Sequence, residues 1–164
     1  LFSLVSAAIV PQISNVITGE ATVSSPTVVT AYGEDGTDLG DEFGGAIYAN
    51  DTYGMGFRVE NLSNNELPKA RGNIYCTADP AFASADEMAI EYANNEDDMR
   101  NHIGNSEMMP KTFITAGDVN AINFLSTEFS MAVGYDEMGY ALFTYAANLT
   151  PGTIITCKTK IIVE

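Results

Sequence analysis

The sequence predicts a mainly β protein: a jelly-roll or Ig-like antiparallel β-sandwich with one short helix and an N-terminal donor-type strand. Three observations carry this. Short runs rich in Val, Ile, Thr, Phe and Tyr alternate with Gly, Asn and Asp punctuation from Glu20 onward. Apolar residues reach 46% against 18% charged, enough to bury a core. The 164 residues suit a single domain.

The first nineteen residues stand apart, because no charge occurs before Glu20. Leu1 to Val10 reads like the apolar part of a signal peptide, but no basic residues precede it. A bilayer-spanning helix needs about 20 mainly apolar residues, and Pro11, Gln12, Ser14 and Asn15 interrupt the run after ten. No membrane span is expected, and a pilin-type helix meets the same objection. From Ile9 the pattern is that of a strand, with Ile9, Pro11, Ile13 and Ile17 on one face and Asn15 as the exception. Such a strand must be buried in its own sheet or added to a neighbouring molecule's sheet. The chain thus divides into a donor segment, residues 1–19, and a sandwich, residues 20–164.

Strands are expected at Glu20–Ser24, Thr27–Tyr32, Ala46–Ala49, Gly54–Asn61, Gly72–Ala78, Lys111–Ala116, Asn120–Val133 with a break, Tyr140–Ala147 and Thr153–Val163. Turns at Asn61–Asn65, Asp136–Gly139 and Asn148–Gly152 should join neighbours into antiparallel hairpins. The helix is expected from Ala85 to Asn94, or as far as Arg100. Ser84 and Glu87 form a capping pair, and Ala85, Met88, Ala89, Tyr92 and Met99 share a face.

The net charge of −15 repels phosphate backbones and anionic headgroups, so nucleic acid is not an expected partner. Cys76 and Cys157 both fall in strand-like runs and can make only one intramolecular disulfide; the alternative is two buried thiols. The bond would close a loop of about 80 residues and stabilise the fold by about 4–5 kcal/mol in the chain-entropy model. Sequons at Asn50, Asn61 and Asn148 lie at strand ends or turns, where attached glycans could project. With the disulfide they favour an extracellular, cell-surface location.

Chemistry is sparse. His102 is the only histidine, and no nucleophile-elbow motif, zinc ligand set or phosphate-cradling Gly-Lys-Ser loop accompanies it. Two of the 22 acids could form a glycosidase pair, but no Trp is present to floor a sugar site. No enzyme and no cofactor are expected. Calcium is the one candidate ligand, at Asp35, Asp38, Asp41 and Glu42, closely spaced around two glycines but off the EF-hand template. The acids from Asp86 to Asp98 read as a solvated face and a polar loop.

The segment Gly56-Phe-Arg-Val-Glu-Asn-Leu-Ser-Asn resembles the Phe-x-Val-x-Asn stretch of secreted β-sandwich fibre proteins of the TasA and camelysin family. Leu149-Thr-Pro-Gly ahead of a strand, and the apolar strand ahead of Thr18-Gly-Glu-Ala-Thr-Val, are similar to that group and to archaeal surface filaments. The resemblance implies donor-strand complementation, in which one subunit's N-terminal strand fills a groove in the next to make a homopolymer. The two cysteines and the short helix depart from it. The alternative is a monomeric adhesin or ligand-binding module whose N-terminal strand completes its own sheet.

Overall fold

The computed structural model describes residues 26–117 and 119–163. Among them, eleven strands form two antiparallel sheets. The first holds β1 (Thr27–Gly33), β2 (Asp38–Gly40), β4 (Thr52–Asn61), β6 (Met88–Ala93) and β10 (Asp136–Tyr145), in the order β2-β1-β4-β10-β6. The second holds β3 (Glu42–Ala46), β5 (Leu67–Asp79), β7 (Lys111–Ala116), β8 (Val119–Leu125), β9 (Phe129–Met131) and β11 (Ile154–Val163). Its order is β3-β11-β5-β8-β7, with β9 beside β5. One short helix, α1 (Glu96–Arg100), is capped by the Asn95 side chain, which accepts from the Asp98 N–H.

The sheets face each other because each has one apolar face. Ala31, Met55, Phe57, Ile90 and Phe143 of the first sheet meet Phe43, Ile74, Ile122, Phe124 and Ile155 of the second in one core. Phe43 packs edge-on against Phe57 and Phe143, with ring centroids 5.8 and 5.7 Å apart. Fully burying each such side chain is worth about 1.5–3 kcal/mol. Cys76 and Cys157 lie directly opposite on β5 and β11, buried, and form the disulfide.

Four expectations are corrected. Residues 88–93 form β6 rather than a helix: Met88 and Ile90 are wholly buried at a spacing of two, and the whole segment pairs with β10. The Ser84 cap does form, accepting from the Asp86 N–H, but it starts only a 3₁₀ turn at Ala85–Glu87. Asp136–Gly139 is not a turn but the start of β10, paired with β4 through Glu60 to Phe57. The run at Ala46–Ala49 is displaced: the strand is β3, ending at Ala46. The Asn61–Asn65 and Asn148–Gly152 turns do reverse the chain, yet they carry it from one sheet to the other instead of closing hairpins. The short β2 arises within the acidic loop, where the sequence predicts no strand. The apolar run at Ile9–Ile17 and the strand at Glu20–Ser24 lie outside the described residues.

The registers define two ends. At one, Thr27 meets Asn61, Glu60 meets Asp136, and Val163 meets Ala70. At the other, Thr52 meets Thr144, and Ile154 meets Asp79.

Candidate functional site: an inter-sheet cleft

The sheets do not close on each other at the first of these ends. Between them lies a cleft of about 450 Å³. Val29, Phe57 and Val59 wall it from the first sheet, and Ile74, Thr159 and Ile161 from the second. Two glycines inside strands help to open it, one from each sheet. Gly139 shares the inward parity of Ala141 and Phe143, and no heavy atom lies within 4 Å of where its Cβ would stand. Gly72 shares the parity of Ile74, and its Cβ position meets only the Ser126 side chain, with Oγ at 3.5 Å and Cβ at 3.8 Å. Ser126 Oγ accepts from the Gly72 N–H at 2.8 Å and donates to the Thr127 carbonyl at 2.8 Å, fixing that wall.

The rim is polar and acidic. Glu107 and Glu137 lie on it with Asn94 and Asn105. The Tyr135 hydroxyl donates to Glu137 Oε2 at 3.3 Å, and burial with the neighbouring carboxylate raises the pKa of that phenol. The Tyr92 hydroxyl is buried and, among the described residues, lies near the Thr127 backbone without a well-formed hydrogen bond. Burial first, and then the Glu107 charge, push its pKa up. Apolar side chains extend the site past the end of the sandwich: Leu62 and Val133 are 64% and 58% exposed, and Val163 is 40% exposed.

A strand edge that no described strand pairs flanks the cleft. β3 pairs with β11 only from Ile154 to Lys158, and the Thr159 N–H still donates to the Asp41 carbonyl at 2.8 Å. Beyond that point no described strand covers this side. Backbone groups alternate along a strand, so those of Ile161 and Val163 point to that side, while the Ile161 side chain lines the cleft. On the facing sheet, β2 covers only Ala31 and Tyr32 of β1.

The residues singled out in the sequence are dispersed. Asn50, with φ 65°, and Asn148 are exposed on loops at the end opposite the cleft. Asn61 is 3% exposed, and its Nδ2 donates to the carbonyls of Asn65, Met131 and Ala132 at 2.9, 3.1 and 2.9 Å. In the folded chain it has no room for a glycan, which corrects that expectation.

The four acidic residues do not converge. Asp35 accepts from the Thr37 N–H and Asp38 from the Gly40 N–H, both at 2.9 Å. Thr37 holds the Asp35 carboxyl below its usual pKa. Glu42 pairs with Lys158 at 2.7 Å. No group of three or more metal-ligating side chains occurs among the described residues. His102 bonds Glu34 at 2.7 Å on the outer face, and Glu34 also accepts from the Gly54 N–H.

A second, shallower depression of about 310 Å³ lies on the outer face of the first sheet. Register places Tyr32, Gly56 and Tyr140 in one row across β1, β4 and β10. Met138 Cε lies 3.0 Å, and two Tyr140 ring carbons 3.6 and 3.7 Å, from where a Gly56 Cβ would be, so both side chains crowd over the glycine. Arg58 stands beside them, its guanidinium bound to both oxygens of Asp136 at 2.8 and 2.7 Å.

Sequence reasoning missed the cleft because it depends on which strands face each other. Its one legible trace is glycine in the strand interiors at 72 and 139, where glycine often marks close approach of another backbone or a ligand.

No family model and no curated protein matches this sequence. Among solved structures the chain is similar in fold to AvmM, which catalyzes macrocyclization in alchivemycin A biosynthesis. The identity is 7%, the TM-score 0.55, and the likeness covers 84% of this chain and 77% of that one. A weaker likeness links it to the carbohydrate-binding module CBM3b of the cellulosomal cellobiohydrolase 9A from Clostridium thermocellum. Here the identity is 8% and the TM-score 0.42, over 85% of this chain and 96% of the module. The CBM3a-L domain of scaffoldin cipA from the same organism gives 15% and 0.35, over 77% and 71%. At such identities the likeness is one of fold, a mainly β antiparallel sandwich. No helix among the described residues is long and apolar enough to cross a membrane.

Proposed function

We propose that this chain is a non-catalytic binding module of the cell exterior whose working site is the cleft between the sheets. The observation that carries the reading is the cleft itself: apolar walls from both sheets, an acidic rim, and the uncovered edge of β11 beside it. Extended polypeptide fits such a place, because backbone pairing along an edge supplies affinity and alternate side chains enter the walls. The Cys76–Cys157 disulfide supports an oxidising location. His102 supports the non-catalytic part, being tied to Glu34 on the far face of the first sheet.

The finer reading is a structural subunit of an extracellular filament or pilus, polymerising head to tail. Residues 1–19 carry no charge and include Ile9, Pro11, Ile13 and Ile17, the kind of segment that the cleft would take. A heterologous contact of this sort repeats without closing. Negative-stain images of the native material should show filaments, and Ile13→Asp should leave folded monomers. Filaments unchanged by that substitution would sink the reading.

A monomeric adhesin or ligand-binding module is favoured by one specific observation, the row of Tyr32, Gly56 and Tyr140 beside Arg58. An aromatic ring offers an apolar face to a sugar ring, and a fixed guanidinium offers donors to hydroxyls. Under this reading the intact chain is monomeric by light scattering at all concentrations, and Tyr140→Ala abolishes its retention on insoluble polysaccharide.

A further inference from the structure

We infer that the outer face of the second sheet is a basic docking surface for an acidic polysaccharide, a sugar chain carrying carboxylate or sulfate groups. This surface is neither the cleft nor the row of Tyr32 and Tyr140, which lies on the opposite face of the sandwich, and the inference stands without either.

The chain holds 22 acidic residues and only 7 basic ones, yet four of the seven gather here. On β11, Cys157 and Thr159 are buried and Ile161 lines the cleft, so alternation turns Lys158 and Lys160 outward. On β5, Ile74 lines the cleft and Cys76 is buried, so Arg71, Asn73 and Tyr75 face outward, with the exposed Lys69 two residues before Arg71. Register sets Tyr75 between Lys158 of β11 and Asn123 of β8, and Asn73 beside Lys160.

The protein leaves these cations largely unneutralised. Glu42 pairs with Lys158 at 2.7 Å, but Glu128 reaches Arg71 only at 3.5 Å, and Arg71 Nε is buried with no hydrogen-bond partner among the described residues. Lys69 and Lys160 have no ion pair among the described residues. The outer face of the first sheet is the reverse. Its Arg58 and Arg100 are held by Asp136 at 2.7 Å and Glu96 at 2.6 Å, and Glu91, Asp97 and Asp98 add further acid. Charge is thus segregated between the two faces.

The neighbours of the cations select a sugar chain as the anion. Lys158 and Lys160 stand about 7 Å apart along β11, and between β11 and β8 the Tyr75 ring offers an apolar face to a sugar ring. Asn73 Nδ2 donates to Asn123 Oδ1 at 2.7 Å and to the Phe124 carbonyl at 3.1 Å, which holds the Asn123 amide in place beside that ring. An extended peptide gains its affinity from a strand edge, whereas β5 is paired on both sides, by β11 and β8, and this face offers side chains alone. The net charge of −15 repels any polyanion at a distance. At physiological salt that repulsion is screened beyond about 8 Å, so the groups in contact decide.

The test measures dissociation constants of the intact chain by isothermal titration calorimetry at physiological salt, with polygalacturonate, dextran sulfate and neutral dextran as probes. One or both polyanions should bind and dextran should not; the one that binds tells whether carboxylate or sulfate is preferred. Lys160→Gln should weaken that binding about tenfold, and Lys69→Gln added to it should weaken it further. Neither lysine has a partner to lose, so the urea midpoint should stay unchanged. Arg100→Gln removes the same unit of charge from the opposite face and should leave the constant within about twofold. Equal losses from Lys160→Gln and Arg100→Gln would mean that net charge alone governs the contact, and overturn the inference. Absence of binding to both polyanions, or equal binding of dextran, overturns it too. Polyglutamate or single-stranded DNA bound more tightly than either acidic sugar chain would assign the face to a peptide or a nucleic acid instead.

Discussion

Asn61 belongs to a sequon and to a turn at once. Its Oδ1 accepts from the Ser63 N–H and hydroxyl at 3.0 and 2.7 Å, while its Nδ2 ties the chain after β4 to the carbonyls after β9. The same Asn-Leu-Ser letters encode an Asx turn and a glycan acceptor, and only burial separates the two. Mass spectrometry of glycopeptides should find occupancy confined to Asn50 and Asn148. Asn61→Ala leaves three carbonyls short of a donor and should cost about 2–3 kcal/mol in urea unfolding. A second residue-level expectation concerns acid. Arg58 holds the Asp136 carboxyl below its ordinary pKa through hydrogen bonds and charge. A depressed folded pKa stabilises the fold above the ordinary carboxylate pKa of about 3.9 and loses that contribution as pH falls through the lower folded value. The urea midpoint should therefore fall on acidification below about pH 4, and Arg58→Met should remove this pair's share of the drop. Both side chains are exposed, so the share is small.

At the scale of elements, β6 and α1 show what periodicity can and cannot tell. Residues 88–93 satisfy a helical face and a two-residue alternation together, since Met88 and Tyr92 belong to both patterns. Pairing with β10 decides for the strand, and that partner is some fifty residues away in sequence. The helix moves downstream to where Asn95 can cap it. Five residues cannot hold a helix in water unaided; α1 stands because Met99, 2% exposed, packs with Ala93 and Leu142 on the outer face of the first sheet. Gly54 permits that approach, since a Cβ there would lie 2.5 Å from Met99 Sδ and 2.6 Å from the Met99 carbonyl oxygen. The sulfur can swing away but the backbone cannot. Gly54→Ala should cost about 1–3 kcal/mol and release the helix from the sheet. Hydrogen exchange would check this: the Asn101 amide, which donates to the Asp97 carbonyl, should lose protection while the β6 amides keep theirs. Unchanged protection at Asn101 would show that the helix does not depend on the glycine.

At the scale of the molecule, the sandwich class was legible and its wiring was not. Alternation marks β11 almost residue for residue, because Ile155, Cys157 and Thr159 on one face of it are buried. Nothing local says that β4 and β5 belong to opposite sheets, and the cleft exists only as a consequence of that order. Charge is legible from composition and acts on any assembly. Copies of net charge −15 repel each other, while the contact proposed between them is apolar with an acidic rim. Screening shortens the reach of that repulsion from about 30 Å at 0.01 M salt to about 3 Å at 1 M, and salt leaves the burial of Ile9, Ile13 and Ile17 undiminished. The concentration needed for assembly should therefore fall steeply as sodium chloride rises, as followed by light scattering. Under the filament reading Ile13→Asp should stay monomeric across the same range, because screening does not offset the cost of carrying an aspartate into an apolar cleft. Assembly that weakens with salt would instead mean that opposite charges hold the copies together, and the cleft would not be the surface that joins them.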